Sequence, residues 1–273
     1  GLSVSGGSFD FGGATVGIGS TGDVALTGGT VELDSGQVTL NNGTYTLAAT
    51  VTTSTIAAGG TVTIDTSNSG TNVTIADDVG GGGTLDIVAG AAGGTVALSG
   101  AHSYGGLTVT SAARTELAGS FTTAGGDPGG LDITSDAIDL GDPAAYTVDT
   151  SANDGLVRFN GPVDIVTASS VTAGGGGPPT IHFTSTVESA AGAGLTVEAN
   201  GPGRIDFDAA VGTPPNEVGA LLVNDASSVN FAGSVDADSV VQLAGTMITT
   251  FFGDVTTSQA AGIDVTTNGV VTS

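Results

Sequence analysis

The chain has 273 residues and a formal charge of −24, with 27 acidic side chains against three basic ones, Arg114, Arg158 and Arg204. That balance excludes nucleic-acid binding, which needs several Lys or Arg against the phosphates, and an anionic membrane surface would repel the chain. With no Cys and no Lys, it also excludes disulfides, thiolate metal sites, thiol nucleophiles and Schiff-base chemistry. A hydrophobic content of 39% is too high for disorder, while 4% aromatics and 48 Gly suit a thin core of small aliphatics with frequent turns. Val, Thr, Gly and Ala dominate, and no window carries a 3.6-residue apolar period, so the chain reads as all-β. No run of about 18 apolar residues is present, so no membrane insertion is expected. The acidity accommodates loosely held calcium; no other cofactor and no specific metal ligand set is expected.

The opening stretch, GLSVSGGSFDFGG, has no basic n-region, so a secretion signal would lie upstream of it. Over residues 1–104 short alternating strands recur every 7–12 residues, as at Val24–Leu26, Val62–Ile64, Val73–Ile75, Leu85–Ile87 and Val96–Leu98. Turn signals separate them: Asn41-Asn42-Gly43, Ser67-Asn68-Ser69-Gly70 and Gly80–Gly83. The last of these, like Gly174–Gly177, imitates a phosphate loop, but neither a helix nor a Lys follows, so both read as corner glycines. The Thr-rich stretch Val51-Thr52-Thr53-Ser54-Thr55 invites an ice-binding reading, but a flat array of T-x-T on successive coils is missing.

Residues 105–273 are more regular. An L-x-V phrase precedes an aliphatic-x-aliphatic phrase, as in Leu131-Asp132-Ile133 before Ile138-Asp139-Leu140, and Leu195-Thr196-Val197 before Ile205-Asp206-Phe207. The second phrase becomes VRFNGPV at Val157–Val163, IHFTSTV at Ile181–Val187, IDFDAAV at Ile205–Val211 and VNFAGSV at Val229–Val235, each 24 residues after the last. A looser copy, TTFFGDV, ends at Val255. Aliphatic, Phe and Val stand at i, i+2 and i+6, even offsets that send all three to one side of an extended chain. A period of this length carrying strands marks a solenoid. The expected fold is a single-stranded parallel β-helix of about 24 residues per coil, continuous over 1–273. Phe159, Phe183, Phe207 and Phe231 form one internal column in it, and Val163, Val187, Val211 and Val235 another. Gly212–Asn216 reads as a corner insertion that keeps Leu195 over Leu221, 26 residues on. Asp127–Gly130 and Gly174–Pro179 read as corners too, and Asn200 and Asn224 as an amide ladder in another.

Position i+1 of the phrase faces outward in this scheme and stacks Arg158, His182, Asp206 and Asn230, with Asn160, Thr184 and Asp208 beside them at i+3. One reading is a glycan-processing patch in which Asp206 and Asp208 work with His182 and Arg158. The stronger reading is a surface charge ladder, because outward positions must be polar and opposite charges are ordinary neighbours there; no catalytic residue is assigned. Asp149, Asn153 and Asp154 vaguely resemble a calcium loop but lack its spacing, and read as turn residues.

At VRFNGPV, the L-T-V units and PGRIDFDAAVG, the chain resembles the β-strand repeats of filamentous-haemagglutinin-like adhesins and related giant bacterial surface proteins. The resemblance implies a right-handed parallel β-helix acting as a fibrous, non-enzymatic structural or adhesive protein at the cell surface. The partners expected are copies of itself stacked end to end, the remainder of a longer chain, or a surface glycan. A surface-layer or sheath subunit assembled through calcium is the alternative, and a polysaccharide-active β-helix enzyme a more distant one. Neither end of the sequence resembles a polar cap, in keeping with stacking or with a longer array.

Overall fold

A computed structural model describes residues 2–10, 15–18, 24–34, 36–40, 45–47, 51–56, 60–67, 70–124, 129–174 and 180–273. The chain is an all-β solenoid of parallel strands with about 23 residues per turn. Among the described residues the only helical turn is the 3-10 turn Ser151–Asn153. Backbone contacts divide the chain into two units, Gly1–Ala137 and Ile138–Ser273. The corner read at Asn41–Gly43 lies outside the described residues, as do parts of those read at 67–70, 127–130 and 174–179.

In the first unit the strands form because β-branched and aliphatic residues alternate with Thr, Asp and Gly, and each turn supplies the next with backbone partners that a lone strand would lack. Thr61–Asp65, Thr84–Leu98, Gly106–Leu117 and Leu131–Thr134 pair in succession. The register places Val62, Leu85, Leu107 and Leu131 in one column and Ile64, Ile87, Val109 and Ile133 in the next, all fully buried. A second ladder stacks Tyr45, Val73, Val96 and Thr115. A third pairs Ala101–Tyr104 with Gly119–Thr123, setting His102 beside Phe121. Successive partners lie 28, 23 and 19 residues apart along Tyr45, Val73, Val96 and Thr115, so the turns differ in length while the ladder holds. Of the glycines at 80–83, Gly80 and Gly81 end the strand Val79–Gly81, and Gly82 and Gly83 make the bend into Thr84–Leu98. Gly81 has φ +127°, where a Cβ would collide with the Ile56 carbonyl, and only glycine tolerates both the angle and the approach.

In the second unit the repetition is closer. Val157, Ile181, Ile205 and Val229 are successive register partners 24 residues apart, and Thr249 follows after 20. Phe159, Phe183, Phe207, Phe231 and Phe251 stack with ring centroids 4.9–5.1 Å apart, the spacing that parallel strands impose. Val163, Val187, Val211, Val235 and Val255 form the adjoining column. Leu195 sits over Leu221 across the Gly212–Asn216 insertion. Gly212 has φ +69°, and a Cβ there would meet the Asp236 carbonyl. Near the last turns, polar residues enter the columns but satisfy one another: buried Thr249 donates to Gln242 Oε1 at 2.6 Å, and Gln242 Nε2 donates to the Ala244 carbonyl at 3.2 Å.

Candidate functional site

The outward column of the second unit is assembled by the same register that stacks the phenylalanines. Arg158 lies opposite His182, His182 opposite Asp206, Asp206 opposite Asn230 and Asn230 opposite Thr250. The side chains do not remain a simple ladder of solvated charges. His182 Nε2 lies 2.7 Å from Asp208 Oδ2, a diagonal contact to the neighbouring turn. Arg204 donates from Nε (2.7 Å) and Nη2 (2.5 Å) to Asp206 Oδ2. Position i+1 was expected to face water, yet Asp206 is only 4% exposed. The reason is local: Arg204 and Asp206 are alternate residues of the strand Arg204–Phe207, so they share a side, and the guanidinium folds over the carboxylate. Arg158 remains exposed.

His182, Arg204, Asp206, Asp208, Asn230 and Thr250 line a shallow, open depression of about 390 Å³. Two carboxylates beside an imidazole are the inventory of acid–base chemistry. Here Asp206 is already held by the Arg204 guanidinium and Asp208 by the His182 imidazole, and both project from one strand edge, not from facing walls. The depression is therefore a polar surface whose carboxylates are partnered internally and whose hydrogen-bonding capacity points outward. On another face of the unit a second open hollow of about 300 Å³ runs along Ala168, Gly194 and Ala220, between Ser170, Thr196 and Leu222. Its small side chains offer no titratable group.

No protein-family model, curated protein or solved structure matches the chain. Its chemistry is therefore read from its own residues.

The remaining carboxylates that sequence patterns single out are mostly committed to the backbone or to neighbours. Asp149 Oδ1 accepts from Ser151 N (2.9 Å) and Ser151 Oγ (2.5 Å), closing the turn before Ser151–Asn153, and Asp154 adopts φ +53° at its end. Asp65 makes the same pair of contacts with Ser67, at 2.9 and 2.6 Å. In both places the intervening Thr is fully buried and caps the loop: Thr66 Oγ1 donates to the Thr71 carbonyl at 2.7 Å, and Thr150 Oγ1 to the Gly155 carbonyl at 2.6 Å. This Asp-Thr-Ser corner, used once in each unit, escaped the sequence reading, although the shared tripeptide was its signal. Asp139, Asp164 and Glu188 are successive partners on one column. Glu188 there accepts from Thr213 Oγ1 (2.6 Å) and Asn216 Nδ2 (3.3 Å), and Asp164 accepts from Ala190 N. The amide ladder expected of Asn200 and Asn224 does not form: Asn200 Nδ2 donates to the Ala173 carbonyl and Asn224 Nδ2 to Glu198. The 26-residue step at this corner moves the two amides out of register.

A titratable group that no sequence pattern singles out is His102 of the first unit. It is 1% exposed, and neither ring nitrogen has a hydrogen-bond partner. The ring meets Tyr104 edge-on at 5.9 Å, and Tyr104 meets Phe121 in the same way at 5.4 Å. Burial drives its pKa down to about 4, partly opposed by the nearby charge of Asp78. Neutral His102 behaves as one more ring in an apolar cluster.

Proposed function

We propose that the chain is a non-enzymatic, extracellular β-solenoid serving as a rigid structural or adhesive shaft at a bacterial cell surface. The observation that carries the reading is the column of five phenylalanines, each ring within 5.1 Å of the next, beside a continuous valine column. Such a column couples each turn to the next through backbone hydrogen bonds and ring contacts together, so that a load on one turn is shared with its neighbours. The charge of −24 keeps neighbouring shafts from sticking side to side. The partners that suit such a shaft are further copies of itself, the remainder of a longer chain, or a surface glycan.

Electron microscopy of the purified chain, with and without a chelator, tests this. Fibres or end-to-end pairs that survive chelation support the shaft. Dissolution on chelation favours the calcium-assembled sheath, and a strictly monomeric particle overturns the self-association. Turnover of a polysaccharide that is lost in Asp206→Asn or Asp208→Asn would overturn the non-enzymatic assignment.

A further inference from the structure

The polar depression of the second unit does not end at its charged residues. Asp208, Ala232 and Phe252 each follow a stacked phenylalanine by one residue, so all three project outward on one column, and Phe252 is 54% exposed. Two ladder spacings, about 10 Å, separate Asp208 from Phe252. Ile248, also exposed, precedes Thr249 as Ser228 precedes Val229, and so continues the other flank of the same face. Between these flanks lie the Asn230 amide and the Thr250 hydroxyl, which line the depression and make no hydrogen bond among the described residues.

We propose that this face binds a neutral oligosaccharide, with Phe252 as the platform for one sugar ring and Asp208, Asn230 and Thr250 reading the hydroxyls of the next. The proposal supplies the ligand class for the adhesive part of the function above and rests on that reading. Charge selects the ligand. A phosphorylated, sulfated or uronic ligand would approach a chain of charge −24 against its field. Arg204 and His182 already hold Oδ2 of Asp206 and of Asp208, which leaves a metal ion too few carboxylate oxygens here for the six to eight ligands that calcium takes. Asp208 is held by His182 through Oδ2 alone, so its other oxygen stands as an acceptor in a fixed place, which suits a hydroxyl donor. The exposed ring beside this array supplies what polar groups cannot, an apolar surface against which the C–H face of a sugar desolvates. An isolated exposed Phe would need no explanation; one set on the same turn as the Thr250 hydroxyl and one turn from the Asn230 amide does.

Isothermal titration calorimetry of the full chain, against neutral tetrasaccharides of β-1,4-linked glucose, mannose and N-acetylglucosamine and against a heparin tetrasaccharide, tests the proposal. The expected result is that at least one neutral tetrasaccharide binds with Kd of about 1 mM or tighter, and heparin does not. Phe252→Ala and Asn230→Ala should each weaken that binding roughly tenfold while leaving thermal unfolding unchanged, since both side chains lie outside the core. The proposal is overturned if no neutral tetrasaccharide binds, if binding persists undiminished in Phe252→Ala, or if heparin binds in preference. The shaft is read by microscopy, so a failed titration leaves that result standing and the two failures can be told apart.

Discussion

The two units solve the same packing problem with different interiors. In the second, two adjoining columns each repeat one residue type, phenylalanine over phenylalanine and valine over valine, so there each turn presents its neighbour with a surface of its own shape. In the first, each column changes as it climbs: Tyr45, Val73, Val96 and Thr115 share one position, and His102 lies beside Phe121 on another. The consequence shows in the polar atoms. Where Thr249 enters a column of the second unit it finds Gln242. In the first unit His102, and the hydroxyls of Tyr45, Thr115 and Thr123, are buried without a hydrogen-bond partner among the described residues; in the second the Tyr146 hydroxyl, which lies outside the phenylalanine and valine columns, shares that state. Identical stacking lets a column be optimised once and copied. A heterogeneous column must be fitted at every step, and it leaves polar groups stranded where the fit is made by size alone.

The largest effect expected from breaking this contrast is at the centre of the phenylalanine column. Phe183 contacts rings both above and below, at 5.1 and 4.9 Å. Phe183→Ala removes two stacking contacts and leaves a cavity that neighbours of fixed register cannot collapse into, at a cost of about 3–5 kcal/mol. Urea unfolding should show the loss. Phe183→Leu should recover most of the burial but not the stacking, leaving a deficit of roughly 1–2 kcal/mol. If Leu proves as damaging as Ala, shape and not ring contact governs the column.

The second effect belongs to the first unit and depends on pH. The unfolded chain binds a proton at His102 near pH 6.5, whereas the buried ring resists it until about pH 4. Stability that is fully present above pH 6.5 should therefore fall as the pH drops toward 4, by roughly 3 kcal/mol at most. Asp78 moderates the loss, because its charge favours the imidazolium. Replacing His102 with Phe, which matches the ring on the adjoining turn, should flatten this acid limb. Unfolding curves at pH 7 and pH 4.5 would show it, and an undiminished limb in the variant would assign the acid sensitivity to carboxylates instead.

How much of this was legible in the sequence follows from the same contrast. The 24-residue recurrence of Phe159, Phe183, Phe207 and Phe231 is visible because identical residues at a fixed interval announce their own register. The turns of the first unit, with steps between 19 and 28 residues along one ladder, show only as alternation, and nothing in the letters pairs His102 with Phe121. At the charged face the column Arg158, His182, Asp206 and Asn230 was legible, but its chemistry was not. Reading up the columns hides contacts made along a strand, and Arg204 reaches Asp206 by that route. The diagonal from His182 to Asp208 crosses columns and depends on side-chain reach, which periodicity does not encode. Phe252 was hidden beside Phe251, because two adjacent phenylalanines look alike until the pleat sends one inward and the other out.

The smallest effect sharpens the comparison most directly, because each unit contains the same strand pair, an Arg two residues from a carboxylate. Arg114 Nε lies 3.1 Å from Glu116 in the first unit, with side chains 47% and 34% exposed. In the second, Arg204 covers Asp206, whose side chain is 6% exposed. Water and salt screen the first pair, so Arg114→Ala should change stability by no more than about 0.5–1 kcal/mol. Arg204→Ala strands a buried carboxylate and should cost about 1–3 kcal/mol. Asp206→Asn in the Arg204→Ala background should restore part of that loss, since an uncharged amide tolerates the site better. Urea unfolding of the three variants at low and high salt separates the cases: the Arg114 effect should vanish in salt and the Arg204 effect persist. Equal, salt-sensitive losses would mean that Asp206 is hydrated in solution, and that the guanidinium does not seal this face of the second unit.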